Sequence, residues 1–175
     1  MQDETTGPAS ITSLVCELYR RPFMLQESTR NESLPDDDIG LDVAQAGAIC
    51  YRRNAKGRLE VLLVGSRRNG RWGVPKGHIE DRETSSTAAL REAFEEAGII
   101  GDVDSAPIGS FAYQKDSSAN RYRVTVHLLK VSKIAVTFPE VGLRKMQWFL
   151  LKDASREAAQ PGLRTLLSRL ETFGV

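Results

Sequence analysis

Three glutamates in the middle of the chain have a spacing that places them on one face of a helix. Glu92, Glu95 and Glu96 occupy relative positions i, i+3 and i+4. Because each residue of an α-helix advances by about 100°, the three carboxylates fall within an arc of about 100°. The spacing therefore predicts a helix with a cluster of negative charge on one face. The apolar residues of the opposite face are Leu90, Ala93, Phe94 and Ala97.

A glutamate-rich face has two explanations, a solvated helix surface and a site for a divalent cation. Glutamate is a good helix former, and most such faces only contact solvent. Here, like charges at these spacings repel by roughly a few tenths of a kcal/mol per pair, with only Arg91 nearby to compensate. A hard cation such as Mg²⁺ prefers oxygen ligands and would turn this repulsion into binding. The cluster therefore favours a metal site.

The surroundings of the cluster resemble the Nudix box, which is written G-x5-E-x7-R-E-U-x-E-E-x-G-U with U a bulky aliphatic residue. Ala93, which is small for an aliphatic position, is the one departure. A match of this length is far more specific than a short glycine motif, and the stretch is similar to that of a Nudix hydrolase. The resemblance implies a pyrophosphohydrolase that uses Mg²⁺ or Mn²⁺. The matching residues are Gly77, Glu83, Arg91, Glu92, Glu95, Glu96, Gly98 and Ile99.

The resemblance also implies roles for individual residues. Phosphoryl transfer depends mainly on positioning and charge stabilisation, which divalent ions supply. Arg91 is expected to orient the glutamates by ion pairing. A water activated by the metal ion would attack, and the general base would be a box glutamate or Glu140, with His78 a weaker candidate. The expected metal ligands are Gly77, through its carbonyl, and Glu83, Glu92, Glu95 and Glu96. The expected catalytic residues are Glu95, Glu96, Glu92, Arg91 and Glu140.

Basic residues around the box predict contacts with a polyphosphate. Arginine suits bidentate phosphate contacts, and lysine supplies a point charge. The pattern from Ala46 to Phe173, including the late run GLRKMQWFLLKDA, resembles diphosphoinositol polyphosphate phosphohydrolases most and diadenosine polyphosphate hydrolases next. The expected substrate-binding residues are Ser66, Arg68, Arg71, Lys76 and Arg144.

The sequence does not decide between two classes of substrate, which differ in the group attached to the phosphates. The approach to the first core strand, DIGLDVAQ, is acidic, whereas diphosphoinositol enzymes are basic there and have a glycine-rich turn in place of Lys76 and His78. This departure keeps dinucleoside polyphosphates in contention, with Trp72, Tyr113 or Tyr122 as partners for base stacking. Two other functions are weighed: a catalytically silent ligand sensor, and an enzyme that acts on RNA 5′ ends. The intact box disfavours the first, and a net charge of +1 disfavours the second.

Composition describes an ordinary soluble protein of 175 residues with 41% hydrophobic and 27% charged residues. Cys16 and Cys50 are too few for a disulfide framework, and no secretory signal begins the sequence, so we expect a cytoplasmic protein. No membrane or nucleic-acid partner is expected, and a homodimer is considered. Residues 1–40 are expected to form an extension, with a short helix at Ile11–Leu25 and a polar linker at Gln26–Gly40. That extension would be an artefact, or an arm for docking or oligomerisation, and residues 41–175 would form the Nudix domain.

The hydrophobic pattern predicts strands and helices in alternation. A loop is expected at residues 66–78, Thr84, Ser85 or Ser86 would cap the box helix, and Gly98 would end it. Two more helices are expected, one from Asp153 and one at Leu163–Phe173 after a Pro–Gly break. Strands interleaved with helices favour an α/β (α+β) fold with a mixed sheet, and the resemblance implies an α/β/α sandwich. The predicted strands start near Val43 and at Leu59–Val64, Ile108–Tyr113, Tyr122–Val131 and Met146–Leu151.

Overall fold

One mixed β-sheet organises the part of the chain that the computed structural model describes, residues 41–115 and 119–172. The predicted helix at Ile11–Leu25 and the linker after it lie outside these residues. The strands are β1 (Asp42–Arg53), β2 (Leu59–Gly65), β3 (Trp72–Gly73), β4 (Lys76–His78), β5 (Ile99–Val103), β6 (Gly109–Gln114), β7 (Arg121–Ile134) and β8 (Met146–Leu150). The helices are α1 (Ser85–Ala97), α2 (Leu151–Glu157) and α3 (Pro161–Thr172).

The sheet is built around the long parallel pair of β1 and β7. Its main path runs β3-β2-β1-β7-β5, and β4, β6 and β8 pair with β1, β7 and β2 respectively. All pairings other than β1 with β7 are antiparallel. Strands β1 and β2 form the predicted hairpin, and Gly57 in its turn has a φ of 71°. The mixed sheet confirms the predicted fold class.

Two separate hydrophobic clusters cover the two faces of the sheet. Because side chains alternate along a strand, β1 contributes Ile49 and Tyr51 to one cluster and Ala46, Ala48 and Cys50 to the other. The first cluster includes residues of α2 and α3, and the second includes residues of α1. The sheet is therefore sandwiched between helices, as the resemblance implies.

The contact between α1 and the sheet is made largely of alanines. Ala88, Ala89, Ala93 and Ala97 of α1 are fully buried against small residues of β1. Small side chains let a helix backbone lie close to a sheet, because there is little volume to keep the two apart. This packing explains why Ala93 stands where the box has a bulky aliphatic residue.

Several predicted boundaries differ from the structure. The expected loop at residues 66–78 contains two short strands, β3 and β4, and the strand β5 was not predicted. Leu151 begins α2 instead of ending β8. Pro161 begins α3 instead of preceding it, which agrees with the preference of proline for the first turn of a helix, where its missing N–H is not needed.

His127 on β7 is a fully buried imidazole with both ring nitrogens in hydrogen bonds. Its Nδ1 donates to the carbonyl oxygen of Asp104 at 2.8 Å, and its Nε2 lies 2.9 Å from the hydroxyl of Ser85. Burial lowers the pKa of His127, against the smaller opposing effect of the Asp104 carbonyl. This pairing joins β7 to the start of α1 and holds the histidine neutral.

The buried histidine should make a contribution to stability that is lost in mild acid. In the unfolded chain the imidazole has a pKa near 6.5, so below that pH the unfolded state takes up a proton at this side chain that the folded state resists. The contribution of His127 to the free energy of unfolding should therefore fall as the pH drops below about 6.5, by at most about 1.4 kcal/mol per pH unit. Glu96, whose pKa burial raises to about 7, acts in the opposite direction, so the test compares two proteins. In urea unfolding from pH 7.5 to 5.5, the difference in free energy of unfolding between the wild type and H127Q should shrink as the pH falls. An NMR titration that placed the pKa of His127 above 6.5 would contradict the prediction.

No helix in the described ranges is both long and apolar enough to cross a membrane.

Candidate active site

A tight turn before α1 positions Glu83. The backbone N–H of Glu83 donates to the Glu80 carbonyl at 3.1 Å, and the Glu83 carboxylate accepts from the Glu80 N–H at 3.0 Å. Arg82 has a positive φ of 61° in this turn. Thr84 then caps the helix by accepting from the Thr87 N–H, as one of the three predicted caps. The turn thus fixes the Glu83 carboxylate through a hydrogen bond from its own backbone.

Arg91 connects the acidic residues into one network. Its guanidinium donates to both carboxylate oxygens of Glu83 at 3.0 Å, and to Glu92 at 2.8 Å and Glu95 at 3.2 Å. A further bond at 2.8 Å reaches the carbonyl oxygen of His78 on β4. These bonds lower the pKa of Glu83 and raise that of Arg91. Arg91 therefore fixes the glutamates relative to one another and to β4.

Gly77 leaves the space that the Glu92 carboxylate fills. A Cβ atom built on Gly77 would lie 1.9 Å from Glu92 Oε1 and 2.1 Å from its Cδ. A side chain at position 77 and the carboxylate of Glu92 cannot occupy this volume together. Burial raises the pKa of Glu92, against the opposing effect of Arg91. The carboxylate is thus seated directly against the backbone of β4.

Glu96 is buried, although the helical pattern placed it on a charged face. Its residue exposure is only 5%, and desolvation raises its pKa to about 7 in spite of Lys76 and Arg144. One carboxylate oxygen accepts from the Lys76 backbone N–H at 3.3 Å. The other lies 2.6 Å from the guanidinium of Arg144. The part of the charged face that carries Glu96 is therefore covered by β4 and by the loop between β7 and β8.

That loop brings Glu140 and Arg144 to the box helix. The Glu140 backbone N–H donates to the carbonyl oxygen of Glu95 at 3.0 Å, close to the end of α1. The Glu140 carboxylate accepts from Arg144 at 2.5 Å and from Arg67 at 3.2 Å. Arg144 thus bridges Glu140 and Glu96. The structure brings together every predicted acidic residue, but it pairs Arg144 with carboxylates.

The oxygen donors of this cluster have the chemistry that a hard divalent cation requires. The Gly77 backbone and the carboxylate of Glu92 meet at one point, and the desolvated Glu96 lies one helical turn further on. Within residues 41–115 and 119–172, no group of three or more Asp, Glu, His or Cys side chains is arranged so that it could hold a metal ion. The arginine pairs account for this arrangement, because Arg91 and Arg144 hold the carboxylates.

A basic cavity of about 410 Å³ lies beside the glutamates. The loop between β2 and β3 forms one wall, where Ser66 accepts at its carbonyl from the Gly70 N–H and at its hydroxyl from the Arg68 N–H. Four of the five predicted substrate-binding residues line the cavity, and Arg144 is not among its lining residues. The lining residues are Ser66, Arg68, Asn69, Arg71, Lys76, Ala112, Tyr113, Gln114, Lys115, Ala159, Gln160 and Pro161.

Lys76 joins the cavity to the acidic cluster. Its side chain lines the cavity, with Nζ 5.6 Å from the ring centroid of Tyr113, while its backbone N–H contacts Glu96. Desolvation lowers the pKa of Lys76, and Glu96 opposes that effect. Lys76 therefore lies at the border between the basic cavity and the acidic cluster.

The aromatic candidates have different environments. Trp72 packs edge-on against Phe149, with centroids 5.4 Å apart. Tyr122 is buried and stacks on Tyr113 at 5.2 Å. Tyr113 alone of the three lines the cavity; its hydroxyl donates to the buried Gln45, and burial raises its pKa to about 12.

Apart from Tyr113, the remaining lining residues were not predicted as site residues. Asn69 belongs to the β2–β3 loop, and the others come from the end of β6 and the α2–α3 connection. No motif marks Lys115 or Gln160 in the sequence, and only the tertiary fold brings these distant segments together.

Comparison with known proteins gives a consistent result. The sequence profile described as NUDIX domain matches residues 43–170. Diphosphoinositol polyphosphate phosphohydrolase 3-beta from Bos taurus is 37% identical over 114 residues, which cover 63% of this chain and 65% of the relative. Nudix hydrolase 21, chloroplastic, from Arabidopsis thaliana is 31% identical over 105 residues, which cover 59% and 52%. The match thus spans less than two thirds of the length of these curated relatives.

Solved structures share the fold. A crystal structure of C. elegans Ap4A hydrolase has a TM-score of 0.56 at 23% identity and covers 77% of this chain and 100% of that chain. A binary complex of a C. elegans Ap4A hydrolase gives 0.56 at 25% identity, with 75% and 96% covered. A NUDIX hydrolase from Nitrosomonas europaea gives 0.58 at 18% identity, with 75% and 89% covered.

Proposed function

Because this chain belongs to the Nudix family, as the match over residues 43–170 shows, we propose that it hydrolyses a phosphoanhydride bond in a small polyphosphate with the help of a divalent cation. The observation that carries the proposal is the junction of two sites. A buried acidic cluster and a basic cavity meet at Lys76, whose backbone N–H contacts Glu96 and whose side chain lines the cavity.

The acidic cluster would hold Mg²⁺ or Mn²⁺. We propose Glu92, Glu95 and Glu96 as carboxylate ligands, with the Gly77 carbonyl and Glu83 in support. When bound, the cation supplies positive charge against the pyrophosphate and lowers the pKa of a coordinated water. Glu96 would exchange its pairing with Arg144 for the cation, and the released guanidinium could then contact phosphate, the role that the sequence predicted for it.

The surrounding residues orient this cluster and accept a proton. Arg91 fixes Glu83, Glu92 and Glu95 in one network, so that their carboxylates need little ordering when the cation binds. Glu140 is the proposed general base, because Arg144 pairs with both Glu140 and Glu96 and so links it to the acidic cluster. Its exposed fraction of 21% leaves it access to water.

The cavity would bind the rest of the polyphosphate. Arg68, Arg71, Lys76 and Lys115 give it four basic groups and, among the described lining residues, no acidic one. Diphosphoinositol polyphosphates are the first candidate substrates, since the named relative at 37% identity is a diphosphoinositol polyphosphate phosphohydrolase. Dinucleoside polyphosphates are the second, since Tyr113 offers an aromatic surface within the cavity.

A panel of both substrate classes tests the proposal, with phosphate or nucleotide release measured in Mg²⁺ and in Mn²⁺. We expect release from at least one class with either ion and none after chelation. Tight binding without release would identify a ligand sensor instead, and salt-sensitive RNA binding would favour an RNA substrate.

Neutralising the cavity should weaken substrate binding. Hydrogen bonds to charged groups are worth about 1.5–3 kcal/mol, so R68A and K76M should each raise KM about tenfold or more. The residual affinity should also depend less on ionic strength, because fewer ionic contacts remain to be screened. Steady-state kinetics at two salt concentrations measures both effects. K56M, at the exposed turn between β1 and β2, is the matched control, and an equal rise in its KM would contradict the assignment.

A further inference from the structure

Arg67, in the β2–β3 loop, pairs with a carboxylate instead of lining the basic cavity. Its neighbours Ser66 and Arg68 line that cavity, whereas Arg67 is not among the lining residues. Its guanidinium lies 3.2 Å from the carboxylate of Glu140, which belongs to the β7–β8 loop, 73 residues further along the chain. Two consecutive arginines therefore have different surroundings, and Arg67 contacts the proposed general base.

Three hydrogen bonds hold Glu140, and each uses a different group of that residue. Its backbone N–H donates to the carbonyl oxygen of Glu95 at 3.0 Å. Of its carboxylate oxygens, Oε1 accepts from Arg67 at 3.2 Å and Oε2 accepts from Arg144 at 2.5 Å. Because the first bond fixes only the backbone, the orientation of the carboxylate depends on the two arginines.

Arg144 has a second acidic partner in addition to Glu140. It lies 2.6 Å from Glu96, and in the proposed reaction it would leave the carboxylates for the phosphate. A guanidinium and a proton compete for the same lone pairs of a carboxylate oxygen, so Oε2 of Glu140 would be free to take up a proton once Arg144 has left. Arg67 is outside that exchange and would remain on Oε1.

The β2–β3 and β7–β8 loops are also joined by contacts that do not involve Arg67. The backbone N–H of Gly65 donates to the carbonyl oxygen of Lys145 at 2.8 Å. The Lys145 ammonium lies 5.0 Å from the centroid of the Trp72 ring, and it would be 3.3 Å from a Cβ built on Gly70. The Arg67 side chain is 60% exposed, and exposed ion pairs contribute little to folding stability. Removing its guanidinium should therefore leave both loops in place.

We propose that Arg67 is a positioning residue, which holds Oε1 of Glu140 so that the carboxylate stays oriented for proton uptake at Oε2 when Arg144 turns to the phosphate. The inference rests on the proposed function, since it concerns the base of that reaction. In the hydrolysis, the water oxygen bonds to phosphorus as one of the water's protons passes to Oε2. The phosphoanhydride P–O bond breaks, its electron pair goes to the leaving phosphate, and the second proton stays on the product phosphate.

The kinetics of R67A should differ from those of the neighbouring variant R68A. A positioned general base contributes roughly 10²–10⁴-fold to a rate, so the partial loss of its orientation in R67A should lower kcat about tenfold, with KM within about twofold of the wild type. R67K should recover most of kcat, because its ammonium can still donate to Oε1. R68A should instead raise KM. An unchanged kcat in R67A would reduce Arg67 to a surface ion pair and overturn the inference.

A control variant and a double mutant separate positioning from a general loss of charge. R123A is the matched control, because Arg123 also forms an exposed ion pair, with Asp42 at 3.5 Å, and it should keep both constants. Adding R67A to E140Q should cause no further loss of kcat, since the base that Arg67 orients is already gone. Losses that multiply in the double mutant would show that Arg67 acts independently of Glu140, which overturns the inference.

Binding of inorganic tripolyphosphate in EDTA, measured by calorimetry, gives a readout that does not depend on turnover. R67A should bind it as tightly as the wild type, whereas R68A should bind it about tenfold more weakly. Binding by R67A as weak as that by R68A would make Arg67 a phosphate contact, which overturns the inference while the proposed hydrolysis stands. If the wild type releases no phosphate or nucleotide from either substrate class, the proposed function fails and the inference fails with it.

Discussion

Replacing Glu96 by glutamine should lower turnover on the order of a thousandfold without unfolding the protein. The substitution keeps the shape of the side chain and removes its charge. A divalent cation contributes several kcal/mol to the stabilisation of a phosphoryl-transfer transition state, and each 1.36 kcal/mol is about a factor of ten in rate. Because desolvation already raises the pKa of Glu96 to about 7, the melting temperature of E96Q at pH 8 without metal should be unchanged or higher. Initial rates and thermal melts measure the two effects.

The response to added metal provides a second readout for E96Q. A ligand that binds only the folded state raises the melting temperature, so Mg²⁺ should stabilise the wild type more than E96Q. E157Q, the same substitution at an exposed glutamate of α2, serves as the matched control for both measurements. Wild-type turnover of E96Q in Mg²⁺ would refute the role of the acidic cluster.

The second large effect is expected from G77A. The new Cβ would occupy the place of the Glu92 carboxylate, 1.9 Å from Oε1 in the present structure. The flexible end of Glu92 can swing away, so we expect little loss of stability. The displaced carboxylate can no longer act at its place in the cluster, and misplacement of a reacting or positioning group by about 1 Å can reduce a rate about a hundredfold. Kinetics, metal titration and a thermal melt together distinguish this outcome from unfolding.

A double-mutant cycle tests whether Gly77 acts through Glu92. If G77A works by displacing that carboxylate, then adding G77A to E92A should cause little further loss, since the group to be displaced is already gone. Additive losses would show instead that position 77 acts through its own backbone or through β4, and the proposed seat for the Glu92 carboxylate would be wrong.

The sequence predicted best what is encoded locally. The caps of α1 and its glutamate spacing follow from neighbouring residues, and Thr84 and Gly98 stand at its ends as expected. The sequence did not predict strand β5, because the strand starts directly after the Gly98 cap and no turn signal separates it from α1. It also contains a bulge at Gly101, where a Cβ would meet the Lys130 carbonyl oxygen at 2.1 Å. Helix periodicity correctly placed the glutamates on one face, but it could not show that β4 and the β7–β8 loop bury Glu96 on that face.

The candidate site shows the same limit. Arg68 and Lys76 could be predicted because basic residues near a phosphate-binding motif are informative on their own. Gln160 carries no charge and belongs to no motif, and only the folded protein places it in the wall of the cavity. The pairing of Arg144 with Glu96 and Glu140 also depends on tertiary structure, because it joins a loop to a helix distant in sequence.

The two hydrophobic clusters on opposite faces of the sheet have a consequence for how such a protein can change. The acidic residues of α1 rest on one cluster, whereas Gln160 follows a helix that rests on the other. Substitutions at the α2–α3 connection could therefore retune which molecule is accepted while the reactive centre keeps its support. Recognition and bond cleavage would then diverge independently among descendants of one ancestral protein.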